Sequence, residues 1–240
     1  MYHSTVIRVF AIGDLHLAGG TGKTMDRFGD HWLNHDQKIF DAWERLVSED
    51  DLVIVAGDTS WAMRLEDALP DLNRIGEAKG TKLLIKGNHD YWWATKSKMT
   101  RALNPSIGIL NAGSTIINRV AVVGTRGWVC PNDVHFDEQA AKIYEREVGR
   151  LRSAFESLHG REHEFDLLIA ALHYPPTNAA HEASGFTALI DEYGADICVY
   201  GHLHGDDIGG ALTGSREKTI YHVVSADAVN FAPARISSQS

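Results

Sequence analysis

One local pattern recurs along this chain and limits what it can fold into. A short apolar run that reads as a β-strand ends in a glycine or tight turn, followed at once by Asp, His or Asn. It appears as Ile12-Gly13-Asp14-Leu15-His16, Val55-Ala56-Gly57-Asp58, Leu84-Ile85-Lys86-Gly87-Asn88-His89-Asp90, Leu172-His173 and Val199-Tyr200-Gly201-His202-Leu203-His204. Runs that are apolar at successive positions are buried on both faces, as parallel strands in an α/β sheet are. The carboxyl ends of such strands are where ligands bind. The pattern therefore predicts an α/β protein whose polar residues meet along one edge of the sheet.

The segments between fit that reading. Val6–Ile12 is the first expected strand. Residues 18–31, rich in Gly and polar groups, read as a mobile loop and a candidate lid. Asn34 and Gln37 have the spacing of an N-cap and its reciprocal partner, opening a helix with Ile39, Phe40, Trp43, Leu46 and Val47 on one face. Leu52–Ala56 is the second strand, and a helix from Leu65 to Ile75 follows, with Pro70 expected in its first turns or at a break. A short helix runs to Leu103, and Ile107–Leu110, Thr115–Ile117 and Val120–Gly124 are expected to form an antiparallel portion. A long helix covers Asp137 to Leu158, with Glu138 and Lys142 at a favourable spacing outside. Phe165–Leu172, Ile197–Tyr200 and Tyr221–Ser225 complete the strands around a helix at Thr187–Tyr193, and Ile236 to Ser240 should fray. No linker or repeat divides the chain, so one domain spanning 1–240 is expected.

Bulk properties exclude several classes. The net charge of −9 gives no basic footprint for long nucleic acid. No apolar run approaches the ~20 residues that a bilayer requires, and the N-terminus has no secretory pattern, so a cytoplasmic setting is expected. Two cysteines, Cys130 and Cys198, make no disulfide framework.

The strand ends supply Asp14, His16, Asp58, Asn88, His173, His202 and His204: two carboxylates, one amide oxygen and four imidazoles. One metal takes about four protein ligands, or three plus water. Seven donors fit two ions if one carboxylate bridges. A mixed N/O set without thiolate suits Mn, Fe, Zn or Co. Two such ions about 3.5–4 Å apart can clamp an attacking hydroxide and the oxygens of a phosphoryl group.

The blocks Asp-x-His, Gly-Asp, Gly-Asn-His-Asp, His and Gly-His-x-His, in this order, resemble the calcineurin-like metallophosphoesterases, and the surroundings are similar to a compact bacterial branch of predicted phosphohydrolases. The resemblance implies a β-sandwich flanked by α-helices on each side (αββα). It implies that Asp14, His16 and His204 bind one metal, that Asn88, His173 and His202 bind the other, and that Asp58 bridges. His89 would then be the proton donor or electrostatic stabiliser beside the scissile phosphoryl group, and Asp90 would orient it. The reaction implied is direct attack of a metal-bridging hydroxide on a phosphoester, without a phosphoenzyme.

Three residues are substrate-binding candidates. Asn88, already a ligand candidate, is one, and Arg126, after a strand in Gly124-Thr125-Arg126-Gly127-Trp128, either grips a phosphate oxygen or makes a surface salt bridge. Among Trp61, Tyr91, Trp92 and Trp93, all near ligand turns, Trp92 is the candidate for a stacking wall against a base or aryl group, with core or rim packing as the alternative. The expected partner is a small phosphoester, nucleotide-like in one reading. Phosphodiester and phosphomonoester remain open, as does a metal-binding scaffold with vestigial activity. Gly19-Gly20-Thr21-Gly22-Lys23-Thr24 imitates the end of a P-loop, but Leu17 stands where the first glycine is required.

Overall fold

In the computed structural model, residues 7–19 and 21–237 are described. Two sheets lie face to face. The first contains β1 (Val9–Ile12), β2 (Leu52–Val55), β3 (Thr81–Ile85) and β4 (Ile107–Leu110), all parallel. The second contains β5 (Gly113–Ile117), β6 (Val120–Gly124), β7 (Leu167–Ala171), β8 (Ile197–Tyr200), β9 (Gly214–Arg216) and β10 (Thr219–Val223). A short strand, β11 (Ala234–Arg235), returns to pair antiparallel with β1. In the second sheet the order is β5-β6-β7-β8-β10-β9, with β6, β7, β8 and β10 parallel and the two edge strands antiparallel.

Alternation along the strands explains the layering, because successive side chains point to opposite faces. Val9, Ala11, Leu52, Ile54, Leu83 and Ile85 of the first sheet meet Val120, Val122, Ile169, Ala171, Ile197 and Val199 of the second, forming the core between the sheets. The other face of the first sheet (Phe10, Ile12, Val53, Val55, Leu84) receives α1 (His35–Leu46), α2 (Leu65–Glu77) and α3 (Lys96–Ala102). That of the second (Ala121, Val123, Leu168, Ala170, Cys198, Tyr200) receives α4 (Glu138–Glu156) and α5 (Gly185–Tyr193). The result is a single αββα domain.

Several local expectations are corrected. Asn34 makes no side-chain cap; it adopts a left-handed conformation (φ 55°), and Gln37 bonds Asp41 instead. Pro70, by contrast, lies in the second turn of α2, as expected, without breaking it. β4 is not part of the antiparallel portion but pairs parallel with β3, and only β5 and β6 form a hairpin. The end of the chain is held at Ile236, which is buried and donates its N–H to the Val9 carbonyl, while Ser237 accepts from Val9. Expected fraying of 238–240 and the strand start at Val6 lie outside the described residues.

The two sheets align so that the carboxyl ends of β1, β2, β3, β7, β8 and β10 meet at one edge. The Gly13 N–H donates to Val224 O, Asp14 N–H to Gly57 O and Gly201 N–H to His173 O, joining these turns by backbone hydrogen bonds. No helix among the described residues is long and apolar enough to cross a membrane.

Candidate metal centre

All seven candidate ligands converge at this edge. Donor atoms of Asp14, His16 and His204 lie within 4.8 Å of one another, and so do those of Asp14, Asp58 and His173. Asp14 belongs to both groups, and Asp58 Oδ2 lies 3.9 Å from His16 Nε2 and 3.6 Å from His173 Nε2. Asn88 Oδ1 is 2.7 Å from His173 Nε2 and 3.1 Å from His202 Nδ1. With metal–ligand bonds of ~2.0–2.2 Å, neighbouring donors around one six-coordinate ion are separated by about 3 Å. The spacing around Asn88 is of that size.

Local backbone geometry explains how short turns aim so many side chains at one point. Asp14 (φ 54°), His16 (42°), Asp58 (49°) and His202 (74°) all adopt left-handed conformations. Such residues cost of order 1–3 kcal/mol each and persist where the surroundings over-determine them. Glycines make the close approaches. A Cβ at Gly87 would collide with Asp58 Oδ1, and one at Gly201 with Asp14 Oδ2.

The donor set fits cations. His173 Nδ1 faces the carbonyl oxygen of Ala56 at 2.9 Å. A carbonyl only accepts, so Nδ1 carries the proton and Nε2 presents a lone pair to Asn88 Oδ1. Two lone pairs at that distance repel unless a cation takes both. Burial pushes the His173 pKa down, so a second ring proton is not the remedy. Asp14 Oδ1 and His16 Nδ1 are buried with no hydrogen-bond partner. Burial pushes His16 down to about 3, against the raising effect of Asp14, and pushes His202 down to about 3 with help from His173. Both imidazoles are therefore neutral and available for ligation.

The two carboxylates cannot share the pocket as free anions. Burial raises the Asp14 pKa, but the nearby His204 (Nε2 3.4 Å from Oδ1) and the other imidazoles outweigh it and hold the group well below its ordinary value. Burial and then the Asp14 charge push Asp58 up. This is the pattern of two acids competing for one low-dielectric site.

Around this centre the structure assigns positions to the remaining candidates. The His89 backbone N–H donates to Asp58 Oδ1 at 2.8 Å, and its half-buried ring lines a cavity of about 380 Å³. Asp90 does not reach that ring. Its carboxylate accepts from the backbone N–H groups of Thr59 (2.8 Å), Ser60 (3.4 Å) and Gly87 (2.7 Å) and from Trp92 Nε1 (2.9 Å). Asp90 thus ties the Asp58 turn to the Asn88 turn, and its expected orienting role is corrected. Trp92 is only 2% exposed and lines no wall, because its indole is packed in the core beneath Asp90. Of the four aromatic candidates near the ligand turns, Trp61 is the one at the cavity; its ring stacks on His16 (4.6 Å between centroids, 19° between planes) and lies 4.9 Å from His89. Met25, Phe28 and His31 from the 18–31 segment and Trp32 complete the walls. Arg126 is not among the lining residues; its guanidinium lies 3.8 Å from buried Glu147 and over the Trp128 ring, so the ion-pair alternative describes its side chain.

One participant escaped the sequence reading. Asp227, four residues past β10, places Oδ1 2.9 Å from His204 Nδ1 and accepts from the Gly205 N–H through Oδ2. Burial opposes protonation of His204, but Asp14 and Asp227 prevail and raise it to about 10. Asp227 follows the same strand-then-acid pattern as the other blocks, a signal the sequence carried at Val223-Val224-Ser225-Ala226-Asp227.

Two layered sheets with a carboxylate- and imidazole-lined edge make an α/β protein with a candidate metal centre. The calcineurin-like phosphoesterase family matches residues 7–206, and the chain belongs to that family. The family is dinuclear and metal-dependent, and its members hydrolyse phosphoesters. No curated protein matches the chain. Among solved structures, the fold is similar to that of protein AQ665 of unknown function from Aquifex aeolicus (13% identity, 95% of each chain, TM-score 0.50). It is also similar to that of TT1561 from Thermus thermophilus (14% identity, 83% of each chain, TM-score 0.54).

Proposed function

We propose that the protein hydrolyses a small phosphoester, a diester with an aryl or base-like group being the best-fitting substrate. The observation that carries the reading is Asp58 Oδ2 standing between His16 and His173, where one carboxylate can serve two ions. Asp14, His16 and His204 would hold the first ion, and Asn88, His173 and His202 the second. When bound, Mn, Fe, Zn or Co ions in such a pair supply an acidified water and positive charge opposite phosphoryl oxygens.

The chain's own residues do the rest. Asp227 keeps the His204 Nδ1 proton on the outer nitrogen, so that Nε2 faces the centre. His89 projects its imidazole into the cavity from a backbone fixed on Asp58, which suits it to deliver a proton to the departing oxygen. Trp61, Trp32, Phe28 and Met25 give the alcohol side of the ester an apolar wall and exclude water. Residues 18–31 would form a lid over that wall. Two buried, unpaired cysteines suit a cytoplasmic setting.

The test is a panel of alkyl and aryl phosphodiesters and phosphomonoesters on manganese-reconstituted protein. Faster turnover of aryl diesters supports the reading. Preference for monoesters would favour a phosphatase instead, and no turnover of any ester would leave a metal-binding scaffold.

A further inference from the structure

Four cations gather where β3 and β6 end. Lys86 follows β3 and precedes Asn88 by two residues, Arg126 follows β6, and Arg146 and Arg150 project from α4. Glu147 is the carboxylate the three arginines share: it lies 3.8 Å from Arg126, 3.9 Å from Arg146 and 2.7 Å from Arg150, and it also accepts from the Thr125 hydroxyl. Among the described residues Lys86 has no carboxylate within ion-pair distance. Four positive charges against Glu147 and Asp90, the two carboxylates whose fields reach them here, leave an excess of two, in a chain whose net charge is −9.

This cluster is joined to the metal centre. The backbone N–H groups of His173 and Tyr174 both donate to the Arg126 carbonyl, at 3.0 and 2.9 Å. The Arg126 guanidinium lies 4.4 Å above Trp128, the Trp128 ring is 4.9 Å from Tyr174, and the Tyr174 ring is 4.0 Å from His202. Only Gly87 separates Lys86 from Asn88, so their Cα atoms are at most about 7 Å apart. Arg126 Nε is buried without a partner. The field of Arg126 reaches Asp58 and makes it more acidic. None of the four cations lines the aromatic cavity.

We propose that Lys86, Arg126, Arg146 and Arg150 form a subsite for a second anionic group of the substrate, a phosphate or carboxylate separated from the scissile phosphorus by a short spacer. The assignment rests on the phosphoester reading above. It makes the substrate two-ended: an apolar portion against Trp61 and Trp32, and an anion on the Asn88–His173 side. Arginine forks and a lysine without a partner are the donors such oxygens require.

Calorimetric binding to manganese-loaded protein tests this without relying on turnover. The probes are propyl phosphate, propane-1,3-diyl bisphosphate and 3-(phosphonooxy)propanoate. The second anion should tighten binding about tenfold or more, a gain of ~1.4 kcal/mol. The double variant Lys86→Gln/Arg146→Gln should remove that advantage while leaving propyl phosphate affinity and metal content unchanged. The tighter of the two dianions identifies phosphate or carboxylate. Chelation of the ion would act alike on wild type and variant. Equal affinities for all three probes, or an advantage that survives in the double variant, overturns the subsite alone. Failure of propyl phosphate to bind overturns the phosphoester reading and the subsite with it.

Discussion

His204 Nδ1 lies 2.9 Å from Asp227 Oδ1, and on the other side of the ring Nε2 lies 3.4 Å from Asp14 Oδ1. The imidazole is thus oriented by one carboxylate toward another. Such outer carboxylates fix the tautomer of a metal-binding histidine, and losing one costs about 10–100-fold in metal affinity or activity. Asp227→Asn should weaken the ion held by Asp14, His16 and His204 by that factor while the other ion stays. Stepwise metal titration would show it; unchanged affinity at both sites would show Asp227 to be structural only.

His89 is attached to the centre through its backbone, not its ring. His89→Ala should therefore keep both ions and lose turnover by ~10²–10⁴-fold, the usual range for a positioned proton donor. Measured metal content beside kcat separates the roles. Normal turnover by a fully loaded variant would remove His89 from the chemistry.

Trp61 and Trp92 should respond differently to the same change. Trp92 is packed in the core, so Trp92→Ala should cost ~3–5 kcal/mol of stability, read as a lowered denaturant midpoint. Trp61 is partly exposed at the cavity. Trp61→Ala should leave the midpoint nearly unchanged and raise KM for aryl esters more than for alkyl esters. Equal effects on both ester types would mean that Trp61 does not contact the alcohol group.

Asp90 accepts four N–H donors and donates to none. An asparagine there must turn its own N–H₂ toward at least one of them, leaving buried donors unpaired at about 1–3 kcal/mol. Asp90→Asn should lower stability and loosen the Asp58 and Asn88 turns together, so metal affinity falls with it. A variant of wild-type stability and metal content that is inactive would restore Asp90 to a role beside His89.

Much of this was legible because the strand ends are written locally. An apolar run, a glycine and an acid or imidazole within a few residues define both a buried parallel strand and the edge at which its ligand sits. That is why the seven candidate ligands, which the fold brings to one edge, are all marked in the sequence. What was not legible depends on contacts distant in sequence. β11 forms only because β1 offers it an edge more than 220 residues away, and Trp92 is buried in the core cluster that α1, α2 and α3 share although its neighbour Tyr91 is 61% exposed. Asn34 looked like a cap because of its residue type, but it follows two short 3₁₀ turns in a left-handed conformation, and its side chain makes no cap bond. Asp90 fell beside His89 in sequence, and only the fold turns its carboxylate toward Thr59 and Gly87.

Metal stoichiometry of the reconstituted protein, measured by inductively coupled plasma mass spectrometry beside Asp58→Ala, tests the shared-carboxylate arrangement most directly. Two ions per chain in the wild type and at most one in the variant are expected. One ion per chain in the wild type, or two retained without the Asp58 carboxylate, would contradict a centre built on that residue.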